Sequence, residues 1–250
     1  MQLLYDNLFC KTTLAGYTLL SSGDATGYAK ENIADWLDFD YWKADAAGAE
    51  YVEVQFTAAQ AADTLAIYAH DIYTNSGSVK VKRYDSGAWT QVGATLTPTS
   101  NGLQILQFTS VSDTRWRIEV TSTPASKIGI GFLGVALALD DGQIGIAPPL
   151  VPGTDTVINR AAGGALLGVS GKPKASDLRI SIELQTPAWI RANWVPFIRH
   201  AARKPFILAW DDAALSEAWW CWCERPLANP EYTHATFQKA ELICKATDGL

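Results

Sequence analysis

"TGYAKENIADWLDFDYWKA", residues 26–44, crowds Trp36, Phe39, Tyr41 and Trp42 together and sets Asp35, Asp38 and Asp40 among them. Three readings fit such a stretch. It is a half-buried strand opening a β-sandwich, an aromatic platform for a sugar, or a carboxylate loop for calcium. The calcium reading lacks the glycine and the closing glutamate of an EF-hand loop. A sugar platform would use Trp36, Tyr41 and Trp42 with Asp38 as glycan contacts, but aromatics in a sandwich are more often core. Packing is therefore the favoured role for Trp36 and Trp42.

The segments beyond residue 44 are strand-like. "AEYVEVQFTA" sets Val52, Val54 and Phe56 against Tyr51, Glu53 and Gln55, and "GSVKVKRYDSGAWTQVG" alternates before turning at Asp85-Ser86-Gly87. "DTLAIYAHDI", "LQILQFTS", "TRWRIEVTS" and "KIGIGFLGVALAL" complete a series of short strands with turn signals between them. With no convincing amphipathic helix among them, they predict a β-sandwich of jelly-roll type.

The pattern changes at "DDGQIGIAPPLVPGTDT", residues 140–156, where Pro148, Pro149 and Pro152 lie among glycines and read as an extended linker. Beyond it, "DLRISIELQT" places Leu178, Ile180, Ile182 and Leu184 on one face of a strand. Thr186 then offers an N-cap with Pro187 in the first helical position. Ile190, Trp194, Phe197, Ile198 and Ala201 form one apolar stripe, and Pro196 should kink or split the helix. "KPFILAW", "EAWWCWCE" and "HATFQKAELICKAT" predict three more strands. The expected fold is mainly β: a sandwich over 1–146, a Pro/Gly linker over 147–156, and a smaller α+β domain over 157–250 with one helical segment on an antiparallel sheet.

Of the 250 residues, 48% are hydrophobic and 18% charged, enough to bury a core and too apolar for a disordered chain. Up to Pro148 there are 9 basic and 16 acidic residues, and from Pro149 onward 11 and 10, so charges of −7 and +1 argue against a nucleic-acid reader. There is no apolar run of ~18 residues to span a membrane. The N-terminus, with Asp6 and no basic lead, is not expected to be a secretory signal. Cys10, Cys221, Cys223 and Cys244 are too few and scattered for a disulfide scaffold and read as reduced, buried thiols. Cys221, Cys223 and Cys244 could approach one another on neighbouring strands, yet a metal site wants four ligands, and no metal is expected. His70, His200 and His234 show no two-ligand spacing. Neither a nucleophile motif nor a phosphate loop is present, so no catalytic residue and no cofactor are expected. "NRAAGGALLGVSGKPKAS", residues 159–176, is rich in glycine at Gly163, Gly164, Gly168 and Gly171 but carries Leu166 and Leu167, and reads as an arm in search of a partner surface.

"GYAKENIADWLDFDYWKA" is similar to the entry segment of discoidin-like, galactose-binding-like sandwiches, with Glu31, Asn32, Asp35, Tyr41 and Trp42 at matching places. Tyr41 stands where that family usually has threonine. The order of the later strands extends the resemblance over about residues 1–140. "YDNL" at the start resembles such sandwiches in the tails of bacterial viruses. The second half is similar to the tail-tube-like module of distal tail and related baseplate proteins of tailed bacteriophages. In the familiar distal tail protein the ring module comes first and a sandwich comes second; here the order looks reversed.

The resemblance implies a structural, non-enzymatic virion protein, assembled in the host cytoplasm into the tail. It would be a ring-forming distal tail or baseplate component that meets copies of itself, the tail tube and other tail-tip proteins, and connects the tube to the host-recognition apparatus. It suggests six copies, with threefold and other rings open. The alternative it implies is a carbohydrate-binding adhesin that holds host glycans on the sandwich.

Overall fold

The computed structural model describes residues 1–139, 153–224, 229–234 and 236–248. The fold is mainly β, with antiparallel sheets and one helical segment. Of the expected linker, residues 147–152 lie outside the described residues, and 153–156 belong to a strand.

Strand β1 is Gln2–Leu4. Strands β2 (Thr18–Ser21), β3 (Trp42–Lys43), β4 (Gly48–His70), β5 (Ser78–Asp85), β6 (Ala88–Leu96), β7 (Gln104–Ser122) and β8 (Lys127–Gly134) build one sheet. Its order is β3-β8-β4-β7-β5-β6, with β2 also on β4. "AEYVEVQFTA" and "DTLAIYAHDI" merge into the 23-residue β4, and "LQILQFTS" and "TRWRIEVTS" into the 19-residue β7. The joining residues "TAAQAA" hold no Gly or Pro, so the chain bends through register shifts between Gln55 and Gln60 and between Ala62 and Thr64 instead of turning back. Val52 and Val54 from one half of β4 and Leu65 and Ile67 from the other then share a core with Trp42, Trp116 and Ile118.

The second sheet takes in the first strand of the chain. β9 (Leu137–Ala138), β12 (Ser176–Gln185), β13 (Phe206–Ala209), β14 (Ala218–Trp222), β15 (Glu231–His234) and β16 (Phe237–Asp248) take up β1 in the order β12-β16-β14-β13-β1-β9. Leu3 pairs with Leu208 and Leu4 with Ile207. The first strand thus belongs with the C-terminal half, and the sandwich strands are inserted between β1 and β9. Asn7 fastens the crossing point. Its buried amide donates to Gly131 O at 2.8 Å and accepts from the N–H groups of Phe9 and Leu133, both at 3.2 Å.

Thr186 caps the helical segment, its Oγ1 accepting from Trp189 N at 3.2 Å, with Pro187 in the first turn. Pro196 neither splits nor ends it. Between α1 (Pro187–Trp189) and α2 (Val195–Ala201), residues Ile190–Trp194 form a π-turn in which Val195 N–H bonds Ile190 O. The wider turn absorbs the proline, whose ring would otherwise press on a carbonyl one turn back. Ile190, Trp194, Phe197 and Ala201 are buried against Leu178, Ile180, Ile182, Leu208 and Cys221 of the sheet, while Ile198 is half-buried.

A third apolar cluster lies between the two sheets. Ala66, Ile130 and Phe132, on the outer side of β4 and β8, meet Leu4, Ile207, Ala209 and Ala218. β8 is covered on both faces, which is why "KIGIGFLG" is almost uninterruptedly apolar. Trp36 sits in this intervening cluster and not in the sandwich core; Trp42 does sit in that core.

Candidate functional site

The opening stretch becomes a tied loop. Asp24 accepts from Trp42 Nε1 at 3.0 Å, Asp35 from Leu37 N at 2.8 Å, and Asp40 from Asn32 Nδ2 at 2.8 Å. These carboxylates shape the loop, and burial raises the Asp35 carboxyl above its ordinary range. Among the described residues no group of three or more His, Cys, Asp or Glu could hold a metal.

The four expected glycan contacts do not form one surface. Trp36 and Trp42 are each 1% exposed, so neither can stack on a sugar. Tyr41 stacks on Tyr28, with ring centroids 4.7 Å apart, and Lys127 Nζ lies 4.2 Å from its centroid. Both contacts compete with a sugar for that ring. Asp38 is exposed. Among the described aromatics that reach solvent, Phe39 is 75% exposed, Tyr232 62% and Tyr73 53%. Phe39 and Tyr73 lie on loops that both touch Lys127, one through the Tyr41 ring and the other through Asp71, which accepts from the Lys127 backbone N–H. Phe39 was legible in the opening stretch. Tyr73, in "HDIYTNSG", carried no signal beyond its neighbouring turn residues.

The expected arm is a β-hairpin. β10 (Gly153–Arg160) pairs only with β11 (Leu166–Lys174) among the described residues. Gly163 and Gly164 lie in the tip, where Gly164 takes φ +84° and donates to Ala161 O at 2.8 Å. Gly168 and Gly171 lie within β11. Ile158 and Val169 oppose each other on one face, Val157 lies on the other, and Leu166 and Leu167 flank a bulge near the tip. All five are 54–69% exposed. A hairpin with apolar residues on both faces and no third strand is marginal in water. Gly168 has open space where a Cβ would stand, so nothing among the described residues requires a glycine there.

Cys221, Cys244 and His70 lie in the interior. Cys221 and Cys244 are buried and free, and burial raises Cys221 well above its ordinary range and Cys223 to about 12. His70 Nδ1 accepts from Ile72 N, and burial lowers its pKa to about 4. No helix among the described residues is long and apolar enough to cross a membrane.

No family model and no curated protein matches the sequence. Among solved structures the chain is similar to a pectin-binding carbohydrate-binding module, at 18% identity over 46% of this chain and 88% of that one, with a TM-score of 0.40. It is similar to chitosan-binding module 1 of a chitosanase/glucanase from Paenibacillus sp. IK-5, at 21% identity over 52% and 98%, with a TM-score of 0.40. A third is the family 32 module of a Clostridium perfringens protein in complex with galactose, at 16% identity over 47% and 92%, with a TM-score of 0.39. Likenesses of this strength do not assign a function.

Proposed function

We propose that the chain is a non-catalytic structural subunit that assembles with copies of itself through the β10–β11 hairpin, as a ring component of a bacterial virus tail. The observation that carries this is the hairpin, whose five exposed aliphatic side chains have no covering surface within the described chain. A second copy is the favoured occupant on charge. Residues 153–174 carry one acidic and three basic residues, a charge of +2, in a chain of net charge −6. The region up to Pro148 carries −7 and would attract a neighbour's hairpin. Gly168 allows another backbone to come close. The outer edge of β12, unpaired among the described residues, is a surface that a head-to-tail contact would cover.

The test is light scattering after size exclusion, with negative-stain images, on the full chain and on L166S/L167S/V169S. These side chains are 58–69% exposed, so the variant should fold and run at the monomer mass of 27.1 kDa while the wild type forms rings. A monomeric wild type, or a triple variant that assembles normally, would refute the reading.

A second reading rests on Phe39 and Tyr73, exposed on loops that converge at Lys127 beside Asp38 and Asn101. That end could hold a glycan. F39A/Y73A should then abolish glycan-array binding without altering assembly. An array blank for the wild type removes this reading.

A further inference from the structure

A cavity of about 210 Å³ opens between the segment after β1 and the end of α2. Tyr5, Asp6, Cys10 and Lys11 contribute one wall, and Arg199, His200, Arg203 and Lys204 the other. Both walls are fixed. β1 is paired to β13, and the backbone N–H groups of Arg203 and Lys204 each bond His200 O at 2.9 Å. The interior side is aromatic: Tyr5 lies edge-on to Phe197 at 5.4 Å and to His200 at 5.6 Å, and Trp36 lies edge-on to His200 at 5.5 Å.

Its charge is out of keeping with the molecule. Asp6 is the one carboxylate of the lining, and Lys11 engages it at 2.8 Å. Arg199, Arg203 and Lys204 have no carboxylate partner among the described residues, although the chain as a whole is acidic. Three unneutralised cations around one cavity repel one another unless an anion joins them. Arg199, in the last turn of α2, also complements the negative end of the helix. Arg203 and Lys204 lie past that end and are not needed for it. The lining is rich in donors. Two guanidinium forks and an ammonium accept nothing, and the Tyr5 hydroxyl has no hydrogen-bond partner among the described residues. His200 Nε2 is engaged by Pro205 O at 2.7 Å, which orients the ring.

We infer that this cavity binds a phosphate-class dianion, either free phosphate or the phosphoryl end of a small monoester. A dianion answers three spare cations better than a single carboxylate does, and guanidinium forks match its oxygens in pairs. The space equals several waters at roughly 30 Å³ each, room for a phosphoryl group with a small organic substituent.

Calorimetric titration of the full chain with inorganic phosphate, with ionic strength held constant by sodium chloride, tests this, and acetate and glycerol phosphate serve as parallel ligands. Saturable binding of one phosphate per chain is expected, weakened about tenfold or more in Arg203→Ala and in Lys204→Ala. Both residues are exposed, so the variants should melt with the wild type in phosphate-free buffer. Tighter binding of glycerol phosphate than of phosphate identifies a monoester as the ligand; equal or weaker binding identifies the free ion. No saturable phosphate binding, equal binding by the variants, or acetate binding as tightly as phosphate would overturn the assignment. None of these outcomes depends on the hairpin.

Discussion

Replacing Glu53 by glutamine should lower the melting temperature by several degrees although the two side chains have nearly the same shape. Glu53 is 2% exposed, and its Oε1 accepts from Arg115 Nη2 and Gln55 Nε2, both at 2.7 Å, while Oε2 accepts from Arg117 Nη2 at 2.9 Å. The two guanidinium groups are themselves layered on rings. Arg117 Cζ is 3.4 Å from the Tyr51 centroid and 3.9 Å from that of Trp89, and Arg115 lies 4.2 Å from Tyr84. One carboxylate therefore organises side chains from β4, β5, β6 and β7. Removing one partner of a buried ion pair costs about 3–5 kcal/mol, and the low end applies because Arg115 is 31% exposed. At about 2–4 °C per kcal/mol for a chain of this size, the loss is about 6–12 °C.

Calorimetry at neutral pH reads this directly. Glu53→Gln, Arg117→Gln and the double variant should show a coupling of at least about 1 kcal/mol. Burial raises the Glu53 carboxyl, but the hydrogen bonds from Arg115, Arg117 and Gln55 outweigh it and hold the pKa below its ordinary value. Its contribution is therefore complete above the unfolded pKa of about 4.3 and is lost as pH falls through the lower folded value. The gap between wild type and Glu53→Gln should hold at neutral pH and close in acid. A variant melting within about 2 °C of the wild type, or additive single changes, would refute the network as an energetic unit.

Trp42→Ala and Trp36→Ala should each cost about 3–5 kcal/mol, read by denaturant unfolding. Only the second removes a contact to His200 and loosens the second sheet, so hydrogen exchange should rise in β13 for Trp36→Ala and not for Trp42→Ala. Asn7→Ala leaves the N–H groups of Phe9 and Leu133 and the carbonyl of Gly131 without their partner, and should cost about 2–4 kcal/mol by the same measurement. Burial raises Cys10 to about 11 and Cys223 to about 12, so native alkylation followed by mass spectrometry should find both slow at pH 8 and faster as pH rises.

Local pattern was enough to locate what depends on near neighbours in the chain. Alternation at Val52 and Val54 and at Val79 and Val81, the Thr186-Pro187 helix start and the stripe from Ile190 to Ala201 were legible because each depends on a period of two or 3.6 residues. The outcome at Pro196 was not, since a π-turn is one of several ways a helix can accommodate the ring. Nor did the glycine-rich stretch disclose a hairpin, because Leu166, Gly168 and Val169 acquire strand geometry only through pairing with 153–160.

Pairing across long separations was left to the tertiary structure. "QLL" suits the edge of either sheet, and only packing against Ile207 and Leu208 puts it in the second. Trp36 and Trp42, six positions apart and alike as sequence, fall in different apolar clusters because one side of β8 faces the sandwich core and the other the second sheet. The cationic cavity likewise joins residues 5–11 to residues 199–204, a juxtaposition that arises only when β1 crosses to the far sheet. Composition and periodicity determined that this chain would be antiparallel β with one helix. Which faces meet was decided by burial between residues more than two hundred positions apart, such as Leu3 and Leu208, information that no local window of the sequence holds.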